Sequence, residues 1–527
     1  MISVSESWKE AHNKRLLPET FIEISCGFSD VGIADVVDAA GVNEAFFSNT
    51  ANVIGTMNAT PTTTNYATLE HNLWLLDGSK TIIPDEGPYS TPGYVSEDDS
   101  EASVVLNLPE PRNVAIPGFT ITWSKEYEEY PTSFKVEAKN KDIVIASTTV
   151  TGNSSVRTEV DLELIGYDCV VVTPLDWVVP GHRSRVDLIA FGHVVTFHKG
   201  DVLSYTHEQH GSLNSAELPK NSINFTLDNT DGRWNPSNPS GDGKYLSERQ
   251  EVNVRYGLLV NNTVEWVNAG RFYLSEWRAP ANGLEAHFVA RDIFEYMLNT
   301  PYTGITSGTL LELVSSAISV ASLPEDFSVY LDQSLQNYTA TIKDNYTVAE
   351  VIQMCANAAA CAMWQDRAGV LNISPLNFKH TGYCISNAFS YTHPEVELSK
   401  PLRAVSVAYG DGARCVHPVG NSGETQTVEN PLVSSEEQAS KIADWVRGTL
   451  ETRKTVSGEF RADPRLDLFD VVRVESKYGG ITPVAITNVK YEYTGSYRAK
   501  YTGRVLVGGS DLFVLGISAL GEEVLGQ

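Results

Sequence analysis

Residues 217–236 read ELPKNSINFTLDNTDGRWNP, and this stretch decides the fold. Ile223, Phe225 and Leu227 alternate with polar residues, which is the period of a strand with one buried face. The Asp- and Asn-rich run at 228–232 then breaks the strand, and a long loop containing proline and glycine follows it. The stretch therefore predicts a half-buried β-strand that leads into an extended loop.

Three segments downstream repeat the alternating pattern. Apolar residues alternate over 252–256, 270–274 and 284–290. Asn261-Asn262 and Asn282-Gly283 separate these segments and are typical of tight hairpin turns, because Asn and Gly tolerate a positive φ. Four strands joined in this way predict an antiparallel meander that closes as a barrel or packs as a sandwich.

Composition indicates a folded protein of several domains. The chain has 527 residues, of which 42% are hydrophobic and 20% charged, and we expect about three to five domains. Lys+Arg number 39 against 66 Asp+Glu, so the net charge is −27. This acidity disfavours wrapping of nucleic acid, because phosphate contacts need cations. It fits either simple solubility or an acidic lumen through which DNA passes without sticking.

Cysteine use and targeting signals indicate a protein made in a cytoplasm. The six cysteines are scattered without a Cys-x-x-Cys pair, so we expect reduced thiols. The N-terminal residues lack the basic start and apolar core of a secretory signal. No apolar run in the sequence reaches the ~20 residues of a membrane helix. We therefore expect a chain that is soluble when it is made.

Residues 101–195 predict a compact all-β block. Short apolar segments such as 104–108 and 119–123 recur at a spacing of about 8–15 residues, which is typical of a β-sandwich. Residues 21–76 hold too few strands to fold alone, whereas the barrel at 197–297 needs one or two more. We therefore expect the sandwich to be inserted into the first barrel, since domain termini often lie close together.

In the C-terminal half, the spacing of the apolar residues changes twice between the helix and strand patterns. Thr309–Glu312 and Thr347–Glu350 have the form of capping boxes and predict two helices of a small α/β module. Ser434–Glu437 caps a third predicted helix that runs to about Leu450, and a second meander follows over 461–501. The predicted fold is mainly β within a multidomain α+β protein, with two antiparallel barrels, an inserted sandwich and a small α/β module.

The first meander resembles the tail-tube-like domain of phage baseplate hub proteins. The residues that carry the resemblance are Leu218-Pro219, 225–229, 231–236, 255–257, 270–274 and 290–292. Residues 66–78 resemble the equivalent segment of such hubs. Asp463 to Val472 resembles their second tube-like barrel, with Phe469 where the family often has glycine. The block at 101–195 resembles a galactose-binding-like jelly roll.

The resemblance implies a division of the chain into five parts. These are a first tail-tube-like barrel (1–80 and 196–300), a galactose-binding-like β-sandwich (81–195), a small α/β module (301–380), a second tube-like barrel with one helix (381–508) and a C-terminal tail (509–527).

The resemblance also implies a function. The expected protein is a structural virion component, a homotrimeric baseplate hub that joins the tail tube to the distal tail tip and lines the DNA exit channel. Its expected partners are tail tube and distal tail proteins, a tape-measure or tip/spike protein, and DNA that passes without specific binding. It would be assembled in the host cytoplasm and located in the virion tail.

The sequence shows no recognised catalytic or metal-binding signature. His207 to His210 places its histidines one residue too close for a zincin motif, and we expect an exposed loop there. Residues 228–232 lack the order of an EF-hand calcium loop, and turn chemistry explains them. Neither a Gly-x-Ser-x-Gly elbow nor a phosphate loop occurs. We therefore expect no enzyme, cofactor or metal.

Two rival functions remain open. The first is a carbohydrate-binding adhesin that contacts a host surface glycan through the sandwich, and its candidate residues are Tyr127, Tyr130, Trp177, His182 and Arg183. Sugar sites combine a stacking aromatic ring with a few orienting polar groups. Alternatively, these aromatic residues cover the end of the sandwich or contact a neighbouring subunit. The second rival is a tail-associated cell-wall hydrolase.

Overall fold

The computed structural model confirms the predicted mainly β fold. It describes residues 1–33, 36–42, 50, 53–54, 67–69, 72–73, 94–95, 102–125, 127–179, 184–280, 283–324, 327–378, 380–450 and 452–506. No helix within these ranges is both long and apolar enough to cross a membrane.

The N-terminal segment provides a short helix and one strand of the main sheet. Helix α1 (Glu6–His12) begins after Ser5, whose hydroxyl accepts a hydrogen bond from the N–H of Trp8. Strand β1 (Thr20–Ser29) follows and buries alternate residues, including Ile22 and Ile24. Trp8 packs with Leu258 and Val267 in a small separate cluster, so α1 lies against the first meander.

The next twelve strands form the sandwich and its surroundings. They are β2 (Asp38–Val42), β3 (Ala67–Leu69), β4 (Asn72–Leu73), β5 (Tyr94–Val95), β6 (Ser103–Arg112), β7 (Ile116–Thr122), β8 (Pro131–Asn140), β9 (Ile143–Thr151), β10 (Arg157–Leu164), β11 (Tyr167–Trp177), β12 (Ser184–Val186) and β13 (Leu188–Ala190). A five-stranded sheet β2-β6-β11-β8-β9 and a three-stranded sheet β10-β7-β13 contribute buried residues to one core. Residues 38–42 pair with β6 in this sandwich rather than with the main sheet.

The first meander comprises six further strands and β1. These strands are β14 (Gly192–Phe197), β15 (Val202–His210), β16 (Lys220–Asp228), β17 (Glu251–Val260), β18 (Thr263–Arg278) and β19 (Glu285–Arg291). Their order in the sheet is β14-β1-β17-β18-β19-β16-β15. Short 3-10 helices occur at Asp242–Tyr245, Ile293–Tyr296 and Gln333–Gln336.

In the sequence, the sandwich is inserted between β1 and β14, which are neighbouring strands of the main sheet. β1 enters it and β14 leaves it, and the two pair antiparallel up to Ser29 opposite Gly192. Gly192 has a φ of 145°, and a Cβ there would lie 2.0 Å from the carbonyl oxygen of Phe28. Only glycine fits this crossing point.

The α/β region contains two capped helices. Its elements are β20 (Ser307–Thr309), α2 (Leu310–Ala321), β21 (Val329–Leu331), β22 (Thr339–Thr341), α3 (Val348–Ala358), β23 (Ala362–Gln365) and β24 (Leu371–Ser374). Both predicted capping boxes are present, because Thr309 and Thr347 each exchange hydrogen bonds with a glutamate three residues later.

The remaining elements divide between the α/β region and the main sheet. They are β25 (His380–Ile385), β26 (Glu395–Leu398), β27 (Leu402–Tyr409), β28 (Ala413–Pro418), β29 (Glu424–Val428), α4 (Glu436–Leu450), β30 (Lys454–Phe460), β31 (Val471–Glu475), β32 (Ile481–Tyr493) and β33 (Tyr497–Val505). Buried residues of β27 and α4 share a core with α2 and α3. β27 forms a separate three-stranded sheet with β28 and β29. The second meander consists of β25, β26, β30, β31, β32 and β33.

The two meanders are one continuous sheet with one core. β15 pairs with β16 on one side and with β32 on the other, from Tyr205 opposite Tyr493 to His210 opposite Asn488. The order continues β15-β32-β33-β30-β26, and β31 and β25 extend the sheet from β32. Buried side chains of both meanders form a single cluster.

Candidate functional site

The centre of the candidate site lies on β15, the strand of the first meander that pairs with β32 of the second. His207 on β15 is fully buried, with Nδ1 2.8 Å from the Tyr256 hydroxyl and Nε2 2.8 Å from Asn221 Oδ1. Burial, helped by the Arg367 guanidinium, lowers the pKa of His207 to about 3. The imidazole is therefore neutral, so Nε2–H donates to Asn221 and Nδ1 accepts from Tyr256.

The exposed loop predicted for residues 207–210 is wrong. Tyr205, His207 and Gln209 are buried, and the residues between them are half-buried. This is the ordinary period of a strand. The inward residues are polar or aromatic rather than aliphatic, and this composition concealed the strand in the sequence.

Tyrosines from both meanders surround His207. The Tyr205 hydroxyl lies 3.1 Å from the Tyr256 hydroxyl. The ring of Tyr491, on β32, lies 5.6 Å from the ring of Tyr256 and 5.9 Å from the imidazole, measured between centroids. Burial raises the pKa of each of these tyrosines. They remain protonated hydrogen-bond donors in the core.

Arg367 enters the junction from the turn between β23 and β24. Its side chain is buried, and its guanidinium donates to the carbonyl oxygens of Pro464 and Leu466 and, at 3.3 Å, to the Tyr491 hydroxyl. Its Nε lies 3.5 Å from Asp467 Oδ1. The α/β region thereby holds the loop before β31 against the paired strands β15 and β32.

A second group of buried charges fastens α1 to the same loop. Arg465 Nε lies 2.9 Å from Asp463 Oδ1, and His12 Nδ1 lies 3.7 Å from Asp463 Oδ2. Arg461 donates to the carbonyl oxygen of His12 and, at 2.8 Å, to that of Lys14. Burial would raise the pKa of Asp463, but its hydrogen bonds with Arg465 and the nearby positive charges hold it below the ordinary value.

We call these two groups together the polar junction: His12, Asn221, Tyr205, His207, Tyr256, Arg367, Arg461, Asp463, Arg465, Asp467 and Tyr491. Removing one member of a buried charge pair costs about 3–5 kcal/mol, because its partner is left uncompensated. Asp463 pairs with Arg465, and Arg367 lies beside Asp467. The guanidinium groups of Arg367 and Arg461 also donate to backbone carbonyl oxygens. The arrangement therefore fixes the relative positions of α1, both meanders and the α/β region.

Sequence reasoning missed most of the polar junction. Arg367 lies in a hairpin turn, where a charged residue ordinarily faces water. Asp463 and Arg465 stand two residues apart in a loop, a spacing with no motif. Only the tertiary fold brings Arg367 to Asp467, which lies 100 positions later in the sequence.

The predicted carbohydrate residue Trp177 is buried in the sandwich. Its side chain is 4% exposed, and its Nε1 donates to Glu129 Oε2 at 2.7 Å. Its ring packs edge-on against Trp123. Tyr130 is half-buried against the same core. Trp177 therefore covers the end of the sandwich, and its indole face is not presented to solvent.

Of the other predicted carbohydrate residues, the structure describes only some. Tyr127 is half-buried, with the Arg185 guanidinium 4.0 Å from the centre of its ring. His182 and Arg183 lie outside the described residues. Glycan binding by this group stays a prediction.

The Asp- and Asn-rich segment 228–232 forms turns, as predicted. Asp228 Oδ1 accepts from the N–H of Thr230 at 3.1 Å, and Asn229 Oδ1 accepts from the N–H of Trp234 at 2.9 Å. In the part of the chain that the structure describes, no three His, Cys, Asp or Glu side chains are grouped to hold a metal ion.

Solved structures of tail proteins and secretion-system proteins show a distant likeness to this chain. The 43 kDa tail protein of prophage MuSo2 from Shewanella oneidensis is 11% identical, with a TM-score of 0.43 over 59% of this chain and 95% of that one. A tail protein from Neisseria meningitidis MC58 is 13% identical, with a TM-score of 0.40 over 59% and 93%. A Francisella PdpA-VgrG complex is 9% identical, with a TM-score of 0.39 over 75% and 53%.

No protein-family model and no curated protein matches the sequence. At the identities and TM-scores of these structures, none of the roles in their names transfers to this chain.

Proposed function

We propose that this chain is a structural protein of a phage tail or a related injection machine, acting as the trimeric hub that joins the tail tube to the distal tip. The observation that carries the proposal is the continuous sheet, in which β15 and β32 join the two meanders over one core. Such a unit sets a fixed angle between two barrel-like halves, which a subunit of a ring requires.

The polar junction supports this role. It clamps the joined meanders from two sides, through α1 and through the Arg367 turn. Buried charge pairs such as Arg465–Asp463 add specificity of arrangement more than stability. A subunit that must present two barrels at a defined angle benefits from this kind of specificity. Three such subunits present six barrels in a ring, which matches a six-fold tail tube.

The charge of the chain supports an open, non-binding channel. A net charge of −27 repels phosphate. DNA that passes through a ring of such chains would meet few cations to retain it. We assign the DNA exit channel to the centre of the proposed ring on this basis.

The sandwich is an accessory in this proposal, held firmly to the first meander. Asp30 at the end of β1 receives two hydrogen bonds from Arg112, at 2.5 and 2.6 Å. Lys244 reaches across to Glu163 on β10 at 2.7 Å. A rigid attachment of this kind suits a domain that contacts a host surface or a neighbouring tail protein.

Sedimentation equilibrium of the purified full chain tests the proposal. The expected species has three times the mass of one chain and keeps that mass on dilution. A monomer over the whole concentration range would contradict the trimeric hub.

A further inference from the structure

A hydrogen-bonded chain of serine, histidine and aspartate lies where α4 meets β28. Ser440 and Asp444 are four residues apart on α4 and so share one helix face. His417 on β28 lies between them. Its Nδ1 is 2.9 Å from Asp444 Oδ1, and Ser440 Oγ is 3.1 Å from its Nε2.

The aspartate fixes the tautomer of the histidine. An ionised carboxylate only accepts hydrogen bonds, so the Nδ1 of His417 carries the hydrogen and donates it to Asp444. The Nε2 atom then holds a lone pair, and the Ser440 hydroxyl donates to it. This is the arrangement in which a histidine takes the proton of a serine nucleophile.

The three side chains lie at an open surface. The side chain of His417 is 22% exposed and that of Asp444 is 53% exposed, and Asp444 also lies 3.5 Å from Arg447 Nη2. Ser440 is half-buried. An open surface admits a short acyl ester even when that ester is carried on a large molecule.

Cys415 is the other nucleophile on this face of β28. Burial raises the pKa of its thiol, and the carboxylates of Glu436 and Asp444 raise it further. The thiol therefore stays protonated and is a poor nucleophile. Ser440 is left as the nucleophile with a hydrogen-bonded base.

We propose that Ser440 is an activated nucleophile that cleaves short-chain acyl esters, with His417 as the general base and Asp444 as its positioning residue. The Ser440 oxygen bonds to the ester carbonyl carbon while its proton passes to His417 Nε2. The bond between that carbon and the alkoxy oxygen breaks, and the departing alcohol takes the proton from His417. Water then hydrolyses the acyl-serine by the same proton transfers and restores the hydroxyl.

The expected turnover is slow. Ser440 lies inside α4, whose interior N–H groups bond to carbonyl oxygens four residues earlier. These N–H groups are therefore not available to hold the developing oxyanion. The remaining contribution is general base catalysis, which accelerates a reaction by about 10²–10⁴-fold. Covalent capture of the serine is thus a more sensitive readout than turnover.

Labelling of the full chain with a fluorophosphonate probe tests the proposal, with the modified peptides read by mass spectrometry. Ser315 and Ser319 on α2 are matched controls within the same molecule, because each lies on a helix surface and bonds a carbonyl oxygen, at 2.8 and 3.1 Å. We expect Ser440 to be labelled at least about tenfold faster than either control serine.

Two variants distinguish activation of Ser440 by His417 from simple exposure of Ser440 to the probe. His417→Gln should reduce labelling of Ser440 to the rate of the control serines. Asp444→Asn removes the carboxylate that fixes the tautomer of His417, so it should slow the labelling of Ser440 while Ser315 and Ser319 in the same molecule keep their rates.

The proposal is overturned by either of two results. One is equal labelling of Ser440, Ser315 and Ser319 in the folded wild-type chain. The other is a His417→Gln variant that labels at the wild-type rate. The first comparison is made within one molecule, so misfolding of a variant does not obscure it.

Discussion

Arg367 shows how one residue can join distant parts of this chain. Its guanidinium spans the carbonyl oxygens of Pro464 and Leu466, the Tyr491 hydroxyl and the carboxylate of Asp467. The side chain belongs to the α/β region, while its partners belong to the second meander. Its loss leaves buried acceptors without donors.

Arg367→Met should therefore lower the free energy of unfolding by about 3 kcal/mol. Arg498→Gln is the matched control, because Arg498 pairs with Glu459 at 3.2 Å but is 52% exposed, and it should cost less than about 1 kcal/mol. Urea unfolding of both variants measures the difference. Equal losses would show that Arg367 does not clamp the junction.

His207 should make stability depend on pH. Its pKa is about 3 in the folded chain and about 6.5 when unfolded, so below pH 6.5 the unfolded chain binds more protons at this site. Stability is then lost as pH falls from about 6.5 to about 3, at about 1.4 kcal/mol per pH unit from this group.

His207→Gln, which cannot gain a proton, should flatten that part of the dependence. Urea midpoints measured from about pH 7 to about pH 4 give the two slopes. The carboxylates contribute equally in both proteins, so the difference between slopes reports His207. Parallel curves would contradict a buried neutral imidazole.

At the scale of elements, the close pairing of β1 with β14 at Gly192 connects the sandwich to the main sheet. Gly192→Ala should cost about 3 kcal/mol or more, because the added Cβ would lie 2.0 Å from the Phe28 carbonyl oxygen. Gly152 also has a positive φ, of 70°, but has nothing within 4 Å of a built Cβ. Gly152→Ala should cost about 1 kcal/mol, and similar thermal midpoints for the two variants would contradict this account.

Local elements were predictable where the pattern is local. The capping boxes at Thr309 and Thr347 fix the starts of α2 and α3 through neighbours three residues away. The alternation around Phe225 predicts β16 for the same reason. β15 was missed because its inward residues are Tyr205, His207 and Gln209, whose burial depends on partners elsewhere in the chain.

Long-range pairing was not predictable from one sequence. β15 and β32 pair although His210 and its partner Asn488 lie 278 positions apart in the sequence, and no local period sets that register. The same applies to His417 and the α4 pair Ser440 and Asp444. A serine and an aspartate four residues apart on a helix are common, and only the fold brings a histidine between them.

For the whole molecule, the excess of carboxylates predicts weak contact with nucleic acid. We expect no retention of double-stranded DNA by the purified chain at micromolar concentration, even at about 50 mM salt, where phosphate contacts are strongest. Gel-shift titration measures this. Salt-dependent binding in that range would place a cationic surface where we propose a passive channel.

The central claim is that the joined meanders form one rigid subunit of a closed ring. Electron microscopy of the purified full chain tests it most directly, through class averages viewed along the symmetry axis. We predict a three-fold ring with six similar lobes around an open centre, two lobes from each chain. Particles of a single chain, or two-fold pairs without a central opening, would contradict it.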